Sequence, residues 1–321
     1  MKVENLKETI KKSRPNVKES TIKMYSTNLN KLRKMFESDG YSFLENVSEV
    51  KDKLKDLSYT TQRNYYNSII ILLMALDKDK SLIEKYNDMR DELNKKYEDE
   101  NAKGTISEKQ KGNFVELSEV QKMLGNMEKD LKGWKKKESF SPSEWNLLQA
   151  YIIFKVHLKL PMRNDLSGCL IITKRLYNKL SEKDKEEHNY LVLEKNSAFF
   201  VMNQFKTNKK YKQLNIPVSK ETERILRAYI KKIDGKVLFK SSVGTPLSRN
   251  AISQLLLKFS KKYLGKNIST TMIRKIVLSD AFAELNKKKE EMSKITGHST
   301  QIMDKVYIKE GQGTSDKSSK E

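Results

Sequence analysis

Apolar side chains in the first hundred residues recur at the spacing of amphipathic helices. One stretch has alternating steps of three and four residues, through Ile22, Tyr25, Leu29, Leu32 and Phe36. A second follows the polar run at 58–61, where Ser58 or Thr60 can cap a helix, and it continues through Tyr65, Ile69, Ile70, Leu72, Leu73 and Leu76. This spacing predicts a small domain of about four helices over residues 1–97, with a charged last helix around 81–97.

Residues 98–114 have a different composition. They are polar, contain two glycines and offer little apolar surface to bury. Such a segment is typical of an interdomain linker.

Beyond the linker, the pattern mixes helical and strand periods, and we assign a second domain to residues 115–308. Predicted helices lie at 117–129, 145–160, 220–232, 249–264, 269–285, 287–295 and 299–307, and predicted strands at 169–173, 190–194, 198–205 and 211–218. Residues 309–321, mostly Gly, Ser, Lys and Glu, are expected to be a disordered tail. The fold class is therefore mainly α with a small antiparallel β-sheet or hairpin, an α+β arrangement.

Charge is large and unevenly distributed. The chain has 64 Lys and Arg against 42 Asp and Glu, a net charge of +22. Residues 1–100 contribute only +2, so the remainder contributes +20, and within the first hundred the basic groups concentrate in residues 1–36. An AT-rich genome also raises Lys and Asn counts, but the asymmetry favours binding of a polyanion, most plausibly nucleic acid, by part of the surface.

The cysteine count and the hydropathy pattern bear on the compartment. Cys169 is the single cysteine, so no intramolecular disulfide can form, and its apolar neighbours indicate a buried strand residue. The N-terminus lacks the apolar core of a signal peptide, and no run is long enough for a membrane span. We expect a soluble, intracellular protein.

Signatures of the common cofactors are missing from the sequence. It contains no Walker loop, dinucleotide-binding glycine fingerprint or zinc signature, and its acidic residues lie mostly in solvated runs. The three histidines lie far apart: we interpret His157 as structural, His188 as exposed and His298 as a candidate for chemistry. We therefore predict no metal and no cofactor.

Metal-free transfer of a phosphodiester has definite requirements. Fixed cations must neutralise the non-bridging oxygens, and the planar fork of arginine suits phosphate. A tyrosine phenol, with a pKa near ~10, can serve as nucleophile and later as leaving group. A lysine on a mobile hairpin can protonate the departing 5′ oxygen.

The second domain carries residues of these types in a fixed order. The motifs are Leu-Pro-Met-Arg-Asn-Asp-Leu at 160–166, Phe-Lys-Thr-Asn-Lys at 205–209, Thr-Met-Ile-Arg at 271–274, Gly-His at 297–298 and Tyr307, nine residues after that histidine. Residues 117–307 thereby resemble the catalytic domain of the tyrosine recombinase/integrase family, and the preceding helices resemble its core-binding domain. The forms of the first and third motifs look most like integrases of eukaryotic DNA viruses, virophages and related mobile elements.

The resemblance implies a role for each candidate residue. Arg163 and Arg274 take the roles of the two catalytic arginines, and His298 that of the next phosphate donor. Lys206, with Lys209 as second choice, takes that of the general acid, and Tyr307 that of the nucleophile.

Two positions depart from the family pattern. Thr271 stands where the family usually has histidine, although its hydroxyl can still donate a hydrogen bond. Asp165 follows Arg163 by two residues, whereas many relatives place an acid three residues after this arginine.

The resemblance also implies an activity and its partners. The expected enzyme is a site-specific recombinase that cleaves and rejoins double-stranded DNA through a 3′-phosphotyrosyl intermediate, with the helical domain completing a clamp around the duplex. It would act as a homotetramer on synapsed sites and could be a monomer when free, in the host nucleus, cytoplasm or viral factory. A type IB topoisomerase and a non-catalytic DNA-binding derivative of an integrase remain the alternatives.

Overall fold

The structure is a computed structural model, and it describes residues 5–102, 108–241 and 243–307. The chain divides into two compact units, Met1–Ile106 and Ser107–Glu321. The predicted tail at 309–321 and residues 103–107 of the predicted linker lie outside the described residues.

The first unit is helical throughout its described part. Its helices are α1 (Leu6–Ser13), α2 (Glu19–Met35), α3 (Val47–Leu54), α4 (Tyr59–Ala75) and α5 (Lys80–Ala102), with a 3₁₀ turn at Ser42–Glu45. Helix α5 continues past residue 97, where the sequence pattern placed its end.

The core of this unit forms around α4, whose second half is apolar on nearly every face. Ile69, Leu72 and Leu73 are fully buried there. Tyr86 of α5 is also fully buried, and its hydroxyl donates to the backbone carbonyl of Leu44 at 2.8 Å. Because a buried phenol needs a hydrogen-bond partner, this contact lets a large aromatic ring fill the core without an unsatisfied hydroxyl.

The second unit contains eleven helices and four strands in its described part. The helices are α6 (Glu108–Lys111), α7 (Leu117–Asp130), α8 (Pro142–Lys159), α9 (Lys174–Tyr177), α10 (Glu182–Glu187), α11 (Asn208–Tyr211), α12 (Lys220–Ile230), α13 (Arg249–Leu264), α14 (Thr270–Ala281), α15 (Ala283–Thr296) and α16 (Thr300–Ile302), followed by a π-helical turn at Met303–Tyr307. The strands are β1 (Leu170–Thr173), β2 (Tyr190–Leu193), β3 (Ala198–Met202) and β4 (Leu214–Pro217).

The four strands form one sheet in the order β1-β2-β3-β4. Pairs β2–β3 and β3–β4 are antiparallel, whereas β1 pairs with β2 in parallel. The mainly helical fold class with a small sheet is confirmed, but the sheet is mixed. Two short helices, α9 and α10, connect β1 to β2, and such a crossover returns the chain in the same direction.

Helix α8 is the central element of the second unit. Ser141 caps it, with its side chain accepting from the backbone N–H of Glu144 at 3.3 Å, and Pro142 occupies its first turn. Ten of its residues are buried, all of them between Leu147 and His157, so the core surrounds the middle and the C-terminal half of the helix. Its C-terminal end therefore presents the following loop from a rigid support.

None of the helices in the described ranges combines the length and the apolar composition that crossing a bilayer requires.

Candidate active site

Arg163 lies in the short loop that follows α8. The helix ends at Lys159 because Leu160 precedes Pro161, and a residue before a proline disfavours helical backbone. The loop turns tightly, with the Asp165 N–H donating to the Arg163 carbonyl at 2.7 Å. The Arg163 side chain is exposed on this turn.

The two residues after Arg163 anchor the loop to the start of α13. Asn164 donates through Nδ2 to Ser253 Oγ at 2.9 Å and also to the Arg249 carbonyl. Asp165 Oδ1 accepts from Arg249 Nη2 at 2.8 Å. Arg163 is thus positioned by neighbours that contact a helix more than eighty residues later in the chain.

Asp165 is the acid whose spacing departs from the family pattern, and its observed hydrogen bond goes to Arg249. Its side chain is buried, with 7% of its surface exposed, while that of Arg249 is 58% exposed. Burial raises the pKa of Asp165, and the charges of Arg249, Arg163 and Arg274 oppose that rise. Asp165 therefore lies within the electrostatic influence of three arginines and forms its hydrogen bond with Arg249.

Arg274 lies on α14 and reaches back to the same loop. Its Nε donates to the Pro161 carbonyl at 2.9 Å, across 113 residues of sequence. No described residue accepts a hydrogen bond from its two terminal nitrogens, which leaves them available to a ligand. Burial and the nearby charge of Arg163 lower the pKa of Arg274, whereas Asp165 raises it.

Arg163 and Arg274 line one cavity of about 550 Å³, which we call the arginine pocket. Its other walls come from the α8 loop and from the segment around β3 and β4: Leu160, Pro161, Met162, Asp165, Met202, Phe205, Thr207, Tyr211, Leu214 and Ile216. Polar guanidinium groups thus meet a largely apolar wall. In such surroundings a guanidinium–phosphate contact is stronger than it is in open water.

The candidate lysines lie on the connection between β3 and β4. Lys206 and Lys209 are both exposed, and neither forms an ion pair with a described residue. Phe205 and Thr207, the neighbours of Lys206, line the arginine pocket, so Lys206 is located beside the pocket. Helix α11 within this connection is followed by Lys212, whose φ of 52° is unusual for a residue with a side chain.

Thr271 lies in the first turn of α14, one turn before Arg274. Ser269 caps this helix, its hydroxyl accepting from the Met272 N–H at 3.4 Å. Thr271 is exposed and does not line the arginine pocket. Its place on the helix puts it on the same side as Arg274, since residues three apart are neighbours on a helix surface.

His298 and Tyr307 belong to the C-terminal segment, residues 283–307. Gly297 ends α15 with a φ of 67°, and half-buried His298 follows. Tyr307 ends the π-helical turn, and its side chain lies outside what the structure describes. Among the described side chains, that of His298 is not part of the pocket lining. The structure therefore brings together Arg163, Arg274 and the neighbours of Lys206.

His157 lies in the last turn of α8, close to both arginines, and it is fully buried as expected for a structural residue. Its Nδ1 is 2.8 Å from the Ile153 carbonyl. Burial lowers the pKa of His157 to about 4, with Arg274 adding to the decrease and hydrogen bonding to the backbone of Ile153 and Arg163 opposing it. The ring is neutral at pH 7, so it adds no charge beside the guanidinium of Arg274.

The prediction of an exposed His188 is confirmed, and Cys169 is buried immediately before β1. In the described ranges, no group of three or more His, Cys, Asp or Glu side chains could hold a metal ion. What the arrangement offers is a set of fixed cations beside an apolar wall, which suits an anionic phosphodiester.

No protein-family model and no curated protein matches the chain. Among solved structures, the XerH site-specific recombinase bound to difH substrate in a pre-cleavage complex is similar, with a TM-score of 0.45 and 15% identity, covering 87% of this chain and 74% of that one. The XerA recombinase has a TM-score of 0.30 and 13% identity, covering 86% and 83%. With such low values, these similarities by themselves assign neither a family nor an activity.

Proposed function

We propose that this protein is a site-specific DNA recombinase of the tyrosine recombinase/integrase type. The observation that carries the proposal is the arginine pocket, in which Arg163 and Arg274 converge beside the hairpin of Lys206. Both arginines of this cavity belong to the residues whose order along the chain resembles the family's catalytic set. An arginine that lay on the surface by chance would not be expected to line the same cavity as Arg274.

In the proposed reaction, the phenolic proton of Tyr307 passes to solvent and the phenolic oxygen attacks the scissile phosphorus. A bond from phosphorus to the phenolic oxygen forms, and the bond from phosphorus to the 5′ oxygen breaks. The electron pair of the broken bond stays on the 5′ oxygen, which takes a proton from Lys206. Attack by the 5′ hydroxyl of a second strand then reverses these changes and releases the phenol.

The remaining candidate groups stabilise the transition state. Arg163 and Arg274 bind the non-bridging oxygens of the phosphate, and His298 and Thr271 donate further hydrogen bonds to them. Bond energy is retained in the phosphotyrosyl link, so the strand exchange consumes no cofactor.

Double-stranded DNA is the proposed partner. The net charge of +22, most of it beyond residue 100, supplies the attraction to phosphates. By resemblance, the active assembly is a homotetramer on two synapsed sites, formed by an intracellular protein that is a monomer when free. The same resemblance extends the proposal to integration of viral or other mobile-element DNA.

One observation favours a second candidate, a DNA-binding derivative without catalysis. Thr271 replaces a histidine and does not line the arginine pocket. In that case the two arginines would hold a phosphate that is never cleaved.

A covalent-trapping experiment separates these functions. Duplexes bound by the protein are selected from a random pool, nicked to make suicide substrates, and incubated with wild type and Tyr307→Phe. An SDS-resistant adduct with wild type alone supports the recombinase. Absence of an adduct on a specifically bound duplex, or an adduct that survives Tyr307→Phe, overturns the assignment of Tyr307.

Strand exchange needs its own measurement. We expect recombination of a plasmid carrying two selected sites to exceed relaxation of a plasmid carrying one. Relaxation without any two-site product would identify a type IB topoisomerase instead.

A further inference from the structure

A buried asparagine, Asn189, connects two segments of the candidate site. It immediately precedes β2, and 4% of its surface is exposed. Its Nδ2 donates to the Asp165 carbonyl at 2.7 Å and to the Gln204 carbonyl at 3.0 Å. Its Oδ1 accepts from the backbone N–H groups of Asn203 at 2.8 Å and Gln204 at 2.7 Å.

These four contacts use the full capacity of a carboxamide. The NH₂ group has two hydrogens and the oxygen has two lone pairs, and each has a backbone partner. An aspartate at 189 would face two carbonyl oxygens without a donor, and a leucine would leave all four backbone groups unpaired. Position 189 therefore requires the two donors and two acceptors of an asparagine, and a side chain that matches only its volume would not satisfy the four backbone groups.

The segments that Asn189 joins both belong to the candidate site. Asp165 is two residues after Arg163, and Gln204 is two residues before Lys206. One side chain thus links the loop of the phosphate-binding arginine to the start of the hairpin of the general acid.

The connection continues into the hairpin through further amides. The Asn203 carbonyl accepts from Asn208 Nδ2 at 2.9 Å, and Asn203 Oδ1 accepts from Gln213 Nε2, also at 2.9 Å. Asn208 lies in α11, between the two candidate lysines, and Gln213 immediately precedes β4. The two ends of the hairpin connection are therefore tied to the residues that Asn189 holds.

We propose that Asn189 is a positioning residue, which sets the location of Lys206 relative to the phosphate bound by Arg163. This inference rests on the proposed function. A general acid acts only within hydrogen-bonding reach of the leaving oxygen, and a displacement of about 1 Å can cost about 10²-fold in rate. Asn189 touches no reacting atom and acts through the two backbone segments.

A purely structural role for Asn189 would also slow cleavage, so the test needs a readout specific to the general acid. A substrate with sulfur in place of the bridging 5′ oxygen supplies one. A thiol has a pKa near ~8.5, so a thiolate leaves without being protonated. A defect in proton donation disappears with sulfur, whereas a defect in the phosphate clamp or in folding remains.

The experiment measures single-turnover cleavage of matched oxygen and sulfur suicide substrates by wild type, Asn189→Asp and Asn189→Leu, with Lys206→Ala to calibrate the rescue. We expect the Asn189 variants to lose about 10²-fold on oxygen. On sulfur they should recover to within a few fold of wild type.

Gln149→Leu is the matched control, because Gln149 is also a fully buried amide of this unit and accepts from the Lys240 N–H at 3.0 Å, away from the pocket. It should lower the melting temperature without changing the oxygen-to-sulfur rate ratio. Should the Asn189 variants fail to fold, Asn208→Ala removes the hydrogen bond from the half-buried Asn208 to the Asn203 carbonyl and should show the same sulfur rescue.

Two failures can be told apart. Equal losses on oxygen and sulfur, in a wild-type background that cleaves both, overturn the role of Asn189 alone. If wild type forms no adduct with either substrate, the proposed function falls, and the inference falls with it.

Discussion

Arg163 and Arg274 extend from segments packed on the buried helix α8, whereas Tyr307 ends a segment whose main helix, α15, buries no side chain. The two regions belong to the same unit and would serve the same reaction. The arginine pocket is held by contacts across more than eighty residues of sequence, such as that of Asp165 with Arg249. The C-terminal segment is tied within itself, by the 2.6 Å ion pair of Lys289 with Asp304.

This difference has a physical consequence. Because α15 buries no side chain, few contacts fix its position. An isolated helix of about a dozen residues is, moreover, only marginally stable in water. The proposed phosphate-binding arginines and the proposed nucleophile can therefore be perturbed one at a time. Four experiments, from the largest expected effect to the smallest, test that separation.

Removal of residues 283–321 should abolish cleavage completely while the rest of the second unit stays folded. Because α15 buries no side chain and Met303 is the one buried hydrophobic residue in the described part of the removed segment, the loss in unfolding free energy should be no more than about 3 kcal/mol. Denaturant unfolding and covalent trapping measure the two effects, with full-length Tyr307→Phe as the control for lost chemistry alone. A truncated chain that does not fold would show that the segment is part of the core.

Arg274→Lys should reduce cleavage by about 10² to 10³-fold, because a lysine keeps the charge but loses the planar fork. The unit itself should lose only about 1 kcal/mol, the contribution of the hydrogen bond to Pro161. Arg224→Lys, an exposed arginine on α12, is the matched control and should cleave normally. A cleavage rate within threefold of wild type would remove Arg274 from the proposed machinery.

His157→Gln should flatten the pH dependence of stability. Burial lowers the pKa of His157 to about 4, below the ordinary value of 6.5, so the unfolded chain binds the proton first as pH falls. The native state of wild type should therefore lose about 3 kcal/mol relative to the variant between pH 6.5 and 4. Parallel denaturant titrations at several pH values measure the difference; two curves of identical pH dependence would contradict the buried neutral ring.

Ile295→Lys should change the unfolding free energy by no more than about 0.5 kcal/mol, because 77% of the Ile295 surface is exposed on α15. Ile273→Lys is the contrasting variant, since Ile273 of α14 is fully buried and a charge there should destabilise the unit by several kcal/mol. Thermal unfolding of both variants makes the comparison. A large loss with Ile295→Lys would mean that α15 packs against the core after all.

Much of the secondary structure was predictable because its signals are local. The helix predicted at 249–264 occurs as Arg249–Leu264, where Ser248 caps the first turn and Gly265 ends the last. The start of α8 at Pro142, three residues before the predicted Trp145, also has a local signal, the Ser141 and Glu144 capping box. The parallel pairing of β1 was missed, since apolar alternation reports which residues are buried and carries no strand direction.

The candidate site was predictable only in part. Arg163 and Arg274 were picked out by sequence order, and the structure places them in one pocket. Arg249 and Asn189 were missed, because a single arginine or asparagine has no local pattern that points to a partner tens of residues away. The catalytic assignments of all six candidates stay predictions: Arg163, Arg274, Lys206, Thr271, His298 and Tyr307.

The sequence by itself determined the helices, the charge asymmetry and the order of candidate residues, because helical periodicity, caps and composition act over a few neighbouring residues. The tertiary structure alone decided which groups meet. The contact of Asp165 with Arg249, the reach of Arg274 to Pro161 and the four hydrogen bonds of Asn189 all depend on backbone segments brought together by burial of a common core. Such contacts form only when the whole unit folds, since no short segment can satisfy them alone.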